Sequence, residues 1–415
     1  MHHMDESSSV PQDTSVYLED DAMDLVTKGY LTQEKWLELG SGDLATAKEK
    51  IRQYINEQLN DSVRLALTKQ PTDQVLHSDI IAAAAGGLWG AASAWLKSTP
   101  ILNPPPQVAT RNVIDPAGPS EPRSSTFLWN TAKEAALKSM ETSRKIRTVD
   151  FLQLSHYCGD ELSCDHIVIA INGFMTHGHT PTVNWEAIGR KKNVSGYVVL
   201  WEAGNAAEWD AFCNETSVHL ETGQDDTIAS HFTVGNPWNK AQNKAHQVGI
   251  VLAELLISTP VFSRSRKVTL VGHSLGSTVI HSCLQHLNTH NRTSNNTPLH
   301  LHQAVFFAGA FVPDHDFAAI TDAVFPALAS NRILNVFSSQ DHILMHLFSL
   351  VNMHITRPAA GCAAIRSKHI RNIDVTDLIP PTQASILGHS YEKFMDAIVD
   401  RMGALLDLPD TIAAK

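Results

Sequence analysis

Residues 267–276 read Lys-Val-Thr-Leu-Val-Gly-His-Ser-Leu-Gly, an apolar run followed at once by a G-x-S-x-G pattern. The run predicts a buried strand, and residues 277–287 predict a helix directly after the pattern. A serine between such a strand and such a helix is typical of a nucleophile elbow, whose strained turn exposes the hydroxyl. Gly272 and Gly276 fit this turn because it leaves no room for a Cβ at either position. The alternative is an ordinary glycine-bounded turn with a surface serine.

Strands and helices alternate throughout the second part of the chain, which we take as a catalytic domain over residues 148–415. A long helix from Pro237 to about residue 257 and a terminal helix over 391–406 are expected beside strands at 149–154, 166–171, 197–201, 268–271, 304–308, 333–337 and 372–375. This alternation predicts a doubly wound, mostly parallel sheet of the α/β class. The first two strands are separated by a short turn and are expected to pair as an antiparallel hairpin, which fits the α/β-hydrolase layout.

The first 147 residues have a different character. Residues 1–16 are polar and predict a disordered tail, and residues 17–147 predict a helical accessory region with a proline-rich linker at 98–126. Residues 80–96 are uncharged but short for a bilayer span. A buried helix or helical hairpin, a membrane-associating segment and a true span are the alternatives there. The N-terminus lacks the features of a signal peptide, so we expect a cytoplasmic protein, with peripheral membrane association if 80–96 inserts.

Net charge, cysteine positions and motif patterns argue against several classes of function. The chain carries 43 acidic and 32 basic residues, a net charge of −11, which argues against a nucleic-acid partner. The five cysteines are scattered, so reduced thiols are expected, with a Cys158–Cys164 disulfide as the alternative. The sequence shows no H-E-x-x-H, C-x-x-C, G-x-G-x-x-G or Walker pattern, so we expect neither a metal nor a nucleotide cofactor.

A serine nucleophile requires a base and an acid that orients the base, and in α/β-hydrolases they follow in the order Ser, Asp, His. Asp341 opens a loop after the strand at 333–337, whereas Asp314 and Asp316, one strand earlier, are competitors that we interpret as loop or helix-capping carboxylates. His389 lies between the last strand and the terminal helix and is the expected base for Ser274. The other histidines considered are interpreted as surface or packing residues: His273, His281, His286, His342, His346, His354 and His369.

The oxyanion of an ester intermediate needs two backbone N–H donors. Leu275, directly after the serine, is expected to supply one. The loop after the strand at 166–171 is expected to supply the other from Phe174, with Asn172 and Thr176 bracing the loop. The alternative is that Asn-Gly at 172–173 marks a plain turn.

Several segments, taken together and in order, resemble the α/β-hydrolase family of the transmembrane-and-coiled-coil-domain proteins, long described as a domain of unknown function. They span roughly residues 165–400 and comprise 171–175, 184–186, 199–202, 249–256, 268–277, 335–344, 372–377 and 388–391. The resemblance implies a triad of Ser274, Asp341 and His389, helices ahead of the catalytic domain, and an esterase or lipase-like activity at membranes. It does not fix a substrate.

Two hypotheses of function follow. The first is a serine hydrolase acting on carboxylic esters, with lipids suggested by the apolar run at 343–355, which can line an acyl pocket, form a lid or be a buried helix. Thioesterase and peptidase chemistry share the same triad. The second is a non-catalytic module that docks on a membrane or partner through its N-terminal helices.

Overall fold

The computed structural model describes residues 34–35, 38, 44–68, 149–160, 164–176, 181–211, 237–263, 267–294, 298–313, 316–326, 331–348 and 357–411. The predicted tail at 1–16, the uncharged segment at 80–96 and the linker at 98–126 lie outside these residues. No helix in the described ranges combines the length and the apolar character that crossing a bilayer demands.

A seven-stranded sheet forms the centre of the molecule. Its strands are β1 (Leu152–Cys158), β2 (His166–Ile171), β3 (Ser195–Trp201), β4 (Lys267–His273), β5 (Gln303–Phe307), β6 (Ile333–Phe337) and β7 (Ile370–Asp374). The spatial order is β1-β3-β2-β4-β5-β6-β7, and all pairs are parallel except β1 with β3. The prediction of a mostly parallel α/β sheet is confirmed.

The predicted hairpin between the first two strands is wrong. The antiparallel partner of β1 is β3, with Leu152 opposite Trp201, and β2 lies between β3 and β4. Burial explains the difference, because all six residues of β2 are buried and such a strand needs a parallel neighbour on each side. Burial in β1 varies from buried to exposed along the strand, which suits the edge of the sheet.

The helices are α1 (Leu44–Thr68), α2 (Glu186–Lys191), α3 (Pro237–Ser258), α4 (Pro260–Ser263), α5 (Leu275–Thr293), α6 (Phe317–Val324) and α7 (Met395–Met402). Helices α3 and α5 cross closely, since a Cβ on Gly249 would lie 2.4 Å from the carbonyl oxygen of Val279. Helix α1 packs its apolar face, including Ile51 and Ile55, against β1 and α3.

The predicted terminal helix over 391–406 is broken into three pieces. Tyr391–Phe394 and Gly403–Leu405 are 3₁₀ turns on either side of α7. Gly403 has φ +50° and ψ −129°, a backbone conformation that favours glycine and that ends the helix. The base predicted from the sequence, His389, therefore precedes a short 3₁₀ turn and not the α-helix itself.

Candidate active site

Ser274 lies in a strained turn between β4 and α5. Its φ of 56° and ψ of −118° are unfavourable for a residue with a side chain. Neighbouring backbone groups hold this conformation: Ser274 N–H donates to the Phe307 carbonyl at 2.9 Å, and Ala310 N–H donates to the Ser274 carbonyl at 3.2 Å. The serine is thus presented at the carboxyl end of β4 in the geometry of a nucleophile elbow.

The two elbow glycines lie where no side chain fits. A Cβ on Gly272 would lie 2.6 Å from the carbonyl of Gly276, and a Cβ on Gly276 would lie 2.1 Å from the carbonyl oxygen of Ile171. The first contact closes the turn on the helix, and the second brings the helix against β2. Any larger residue would push α5 away from the sheet.

The structure brings the three residues of the predicted triad together. His389 Nε2 lies 2.9 Å from Ser274 Oγ, and His389 Nδ1 lies 2.7 Å from Asp341 Oδ2. An ionised carboxylate only accepts hydrogen bonds, so Nδ1–H donates to Asp341 and leaves Nε2 free to accept the serine proton. This connection of hydroxyl, imidazole and carboxylate is the arrangement that activates a serine.

Asp341 is fully buried, and each of its carboxylate oxygens has a donor. Oδ1 accepts the N–H of Leu344 at 3.0 Å, while Oδ2 faces His389. The next residue, His342, donates its N–H to the Leu387 carbonyl at 3.1 Å and so ties the acid loop to the loop of the base. Because the Asp341 carboxylate is shielded from water, it has few other partners and orients the imidazole of His389.

The competing acids and histidines have other contacts. Asp316 accepts N–H bonds from Ala318 and Ala319 and caps α6, as interpreted from the sequence, and Asp314 lies outside the described residues. His281 stacks on the Phe311 ring with centroids 4.3 Å apart. Among the remaining described histidines, His286 Nε2 lies 2.7 Å from Glu254 Oε1, and His342 stacks on His346.

The predicted oxyanion loop lies directly against the nucleophile. A Cβ on Gly173 would lie 2.7 Å from Ser274 Cβ. The N–H of Met175 donates to the Ala203 carbonyl at 3.0 Å, whereas the N–H of Phe174 has no backbone acceptor among the described residues. Leu275 is the first residue of α5, so its N–H lacks an acceptor within the helix.

Asn172 and Thr176 brace this loop, as predicted. Thr176 Oγ1 donates to the Gly173 carbonyl at 2.7 Å, and Asn172 Nδ2 donates to the Pro181 carbonyl at 2.8 Å. Sequence reasoning did not foresee the donors that hold Asn172 in turn. They are Asn184 Nδ2 at 3.1 Å and Trp185 Nε1 at 2.8 Å on the Asn172 side chain, and Trp201 Nε1 at 3.1 Å on its carbonyl.

These contacts give a physical reason for two segments that carry the family resemblance. Residues 184–186 and 199–202 supply the two indole N–H groups that hold the predicted oxyanion loop at Asn172. Glu202, next to Trp201, accepts the N–H of Asp150 at 2.9 Å and pairs with Lys244 Nζ at 3.0 Å, which joins the end of β3 to α3 and the chain before β1. The two tryptophans can be recognised in the sequence as part of the family pattern. Their hydrogen bonds to Asn172 can be seen only in the folded structure.

The apolar run at 343–355 is described in its first half only. Ile343–Phe348 forms a π-helix in which Leu344 and Phe348 are buried and Met345 is 41% exposed. One side of this half packs into the domain and the other is exposed, so the three alternatives for the run stay open, and residues 349–355 lie outside the described ranges. Within the described residues no cluster of three or more metal-ligating side chains occurs.

The strand order, the elbow after β4 and the succession of serine, aspartate and histidine after β4, β6 and β7 define an α/β-hydrolase fold. Residues 228–404 match a family described as "Protein of unknown function (DUF726)". The family resemblance seen in the sequence is confirmed by this match and by similarity to a transmembrane and coiled-coil domain-containing protein.

That relative is the "Transmembrane and coiled-coil domain-containing protein STS1" of Oryza sativa subsp. japonica, 28% identical over 51% of this chain and 33% of its own. "Probable lipase MIL1" of Saccharomyces cerevisiae is 30% identical over 41% of this chain and 14% of its own. The chain thus spans about a third or less of these curated relatives. A lipase-esterase related protein from Clostridium acetobutylicum aligns over 62% of this chain and 97% of its own, with 8% identity and a TM-score of 0.29.

Proposed function

We propose that this protein is a serine hydrolase that cleaves carboxylic esters through an acyl-enzyme. The observation that carries the proposal is the unbroken connection from Ser274 Oγ to His389 Nε2, at 2.9 Å, and from His389 Nδ1 to Asp341 Oδ2, at 2.7 Å. A scaffold without catalysis has no need of this arrangement on a strained elbow, because backbone strain persists only where the surrounding structure maintains it.

In the proposed reaction Ser274 Oγ bonds to the ester carbonyl carbon while its proton moves to His389 Nε2. The carbonyl electron pair moves onto oxygen, where the N–H groups of Leu275 and Phe174 are the proposed donors. Collapse of this intermediate breaks the bond to the alcohol oxygen, which takes the proton from His389. Water then repeats the two steps on the acyl-enzyme and releases the acid.

Lipid esters are the proposed substrate class. The support comes from the name of the yeast relative, "Probable lipase", and from the apolar side chains beside the acid and oxyanion loops, including the partly exposed Phe174 and Met345. Both side chains belong to segments next to the proposed triad, and we propose that they contribute apolar surface for an acyl chain. Membrane contact through residues 80–96 stays a prediction.

Labelling with a fluorophosphonate probe tests the proposal. We expect the wild type to be labelled and Ser274→Ala to lose all labelling, while Ser339→Ala, a control at an exposed serine, labels like the wild type. A panel of esters with short and long acyl chains then tests the lipid part. A folded wild type that is labelled neither alone nor with liposomes contradicts the enzyme and supports the docking module.

A further inference from the structure

His273, which precedes the nucleophile, is in contact with the residue that serves as the base. Its Nε2 lies 3.0 Å from the carbonyl oxygen of His389, and the two rings have centroids 5.0 Å apart. The Tyr391 ring is on the same side, with its centroid 5.6 Å from that of His273. From the sequence His273 is interpreted as a surface or packing residue. In the structure it also forms a hydrogen bond to the backbone of His389.

The contact fixes the protonation of His273. A carbonyl oxygen only accepts hydrogen bonds, so Nε2 must carry the proton. Burial, and after it the nearby His389, lowers the pKa of His273 well below its ordinary value, which keeps the ring neutral near pH 7. His273 is therefore a neutral donor beside His389 and adds no second positive charge when His389 takes the serine proton.

The loop that carries His389 has a strained backbone, which is held by contacts within the loop and by contacts with two other loops. Ile386, Leu387 and Gly388 are three consecutive residues with positive φ, at 46°, 55° and 90°. Two of the three conformations are unfavourable for residues with side chains, so the loop keeps this shape only where other contacts hold it. Backbone hydrogen bonds within the loop hold part of it, since the N–H of Leu387 donates to the Thr382 carbonyl at 2.8 Å and the N–H of His389 to the Ser385 carbonyl at 3.0 Å. The acid loop adds a contact at Leu387, through the N–H of His342, and the elbow adds one at His389, through His273.

We propose that His273 is a positioning residue that sets the distance between the nucleophile and the base. It directly precedes Ser274 in the chain and donates to the main chain of His389, so a shift of either residue is passed to the other. A displacement of about 1 Å at a catalytic group can lower a rate by about 10²-fold. The proposal rests on the proposed hydrolase function and extends it to a residue outside the triad.

Two variants separate the hydrogen bond from the packing. His273→Phe keeps a planar ring without a donor, and His273→Gln places an amide N–H near the position of Nε2. With p-nitrophenyl butyrate we expect kcat to fall about 10- to 100-fold in His273→Phe with KM changed less than about twofold. His273→Gln should recover kcat to within about fivefold of the wild type. A kcat in folded His273→Phe within twofold of the wild type overturns the proposal.

A second measurement does not depend on activity. Nitrogen NMR of the histidine-labelled wild type at pH 7 reports the tautomer of each ring, and His273→Gln assigns the signal if it folds. We expect His273 to be neutral with its proton on Nε2, and a charged ring or an Nδ1–H tautomer overturns the proposal. If that tautomer is found but the wild type hydrolyses no ester and takes no probe, the hydrolase function fails while the contact stands.

Discussion

Each end of the central sheet holds two close imidazoles and an aspartate. At the carboxyl end, His273 and His389 have ring centroids 5.0 Å apart, and His389 Nδ1 lies 2.7 Å from Asp341. At the amino end, His166, the first residue of β2, and His302, just before β5, have centroids 4.5 Å apart. There Asp407 Oδ2 lies 3.1 Å from His302 Nε2.

The difference lies in the partners of the second ring nitrogen and in the burial of the acid. His389 directs its second nitrogen at the serine hydroxyl, and Asp341 is fully buried. His302 Nδ1 instead lies 3.1 Å from the Arg332 guanidinium, a permanent donor, and the Asp407 side chain is 62% exposed. Imidazole and carboxylate together therefore do not make a base; one imidazole nitrogen must face a group that can give up a proton.

The largest expected contrast comes from the same substitution at both ends. Asp341→Asn should lower kcat by about 10³- to 10⁴-fold, because the amide no longer holds the imidazole in the required tautomer. Asp407→Asn should leave kcat within about twofold and change the free energy of unfolding by less than about 1 kcal/mol, because the Asp407 side chain is 62% exposed and His302 Nε2 keeps the Asp407 backbone carbonyl at 2.9 Å. Ester hydrolysis and urea unfolding measure both, and similar losses of kcat in the two variants would remove the distinction.

Gly173→Ala is expected to have the next largest effect. The added methyl would lie 2.7 Å from Ser274 Cβ and 2.9 Å from the His273 carbonyl, so the oxyanion loop must move away from the nucleophile. We expect about a 10²-fold lower kcat in a folded protein. Gly403→Ala is the matched control, because φ there is +50° but a Cβ meets no atom within 4 Å.

Gly403→Ala should cost about 1–3 kcal/mol of stability through backbone strain and leave kcat unchanged. Melting temperature and kcat of both variants test the comparison. Full activity in Gly173→Ala would show that the loop does not lie over the serine as described, and the proposed role of Phe174 as a donor would fall with it.

The smallest expected effect concerns pH and the amino end of the sheet. Burial, followed by the charges of His302 and Lys267, lowers the pKa of His166 from 6.5 to about 4. The unfolded chain binds this proton below about pH 6.5 and the folded protein only below about pH 4. The free energy of unfolding should therefore decrease as pH falls from 6.5 to 4, with a contribution on the order of 1–2 kcal/mol.

Urea unfolding at pH 7 and pH 5 measures this contribution. His166→Phe should show a smaller decrease between the two pH values than the wild type. An unchanged decrease in His166→Phe would mean that other groups, and not the amino-end cluster, make the protein sensitive to acid.

The sequence allowed much of the site to be predicted because its signals are local. An apolar strand, two glycines and a following helix can be recognised within residues 267–287, and Asp341 and His389 are predicted from their places after predicted strands. The hairpin between β1 and β2 was wrong for the opposite reason. A short turn suggests pairing of its two strands, but the burial of β2 on both sides depends on neighbours that lie far along the chain.

By itself the sequence determined the class of fold, and it allowed the elbow and the residue types of the proposed triad to be predicted, since each depends on periodicity, turn chemistry and chain order. Only the tertiary structure decided which groups from distant parts of the chain form hydrogen bonds near the end of the sheet. Trp185 and Trp201 donate hydrogen bonds to Asn172, and His273 donates one to the His389 carbonyl. These hydrogen bonds join residues from 13 to 116 positions apart. Hydrogen bonds of this kind need a geometry that only the packed chain supplies.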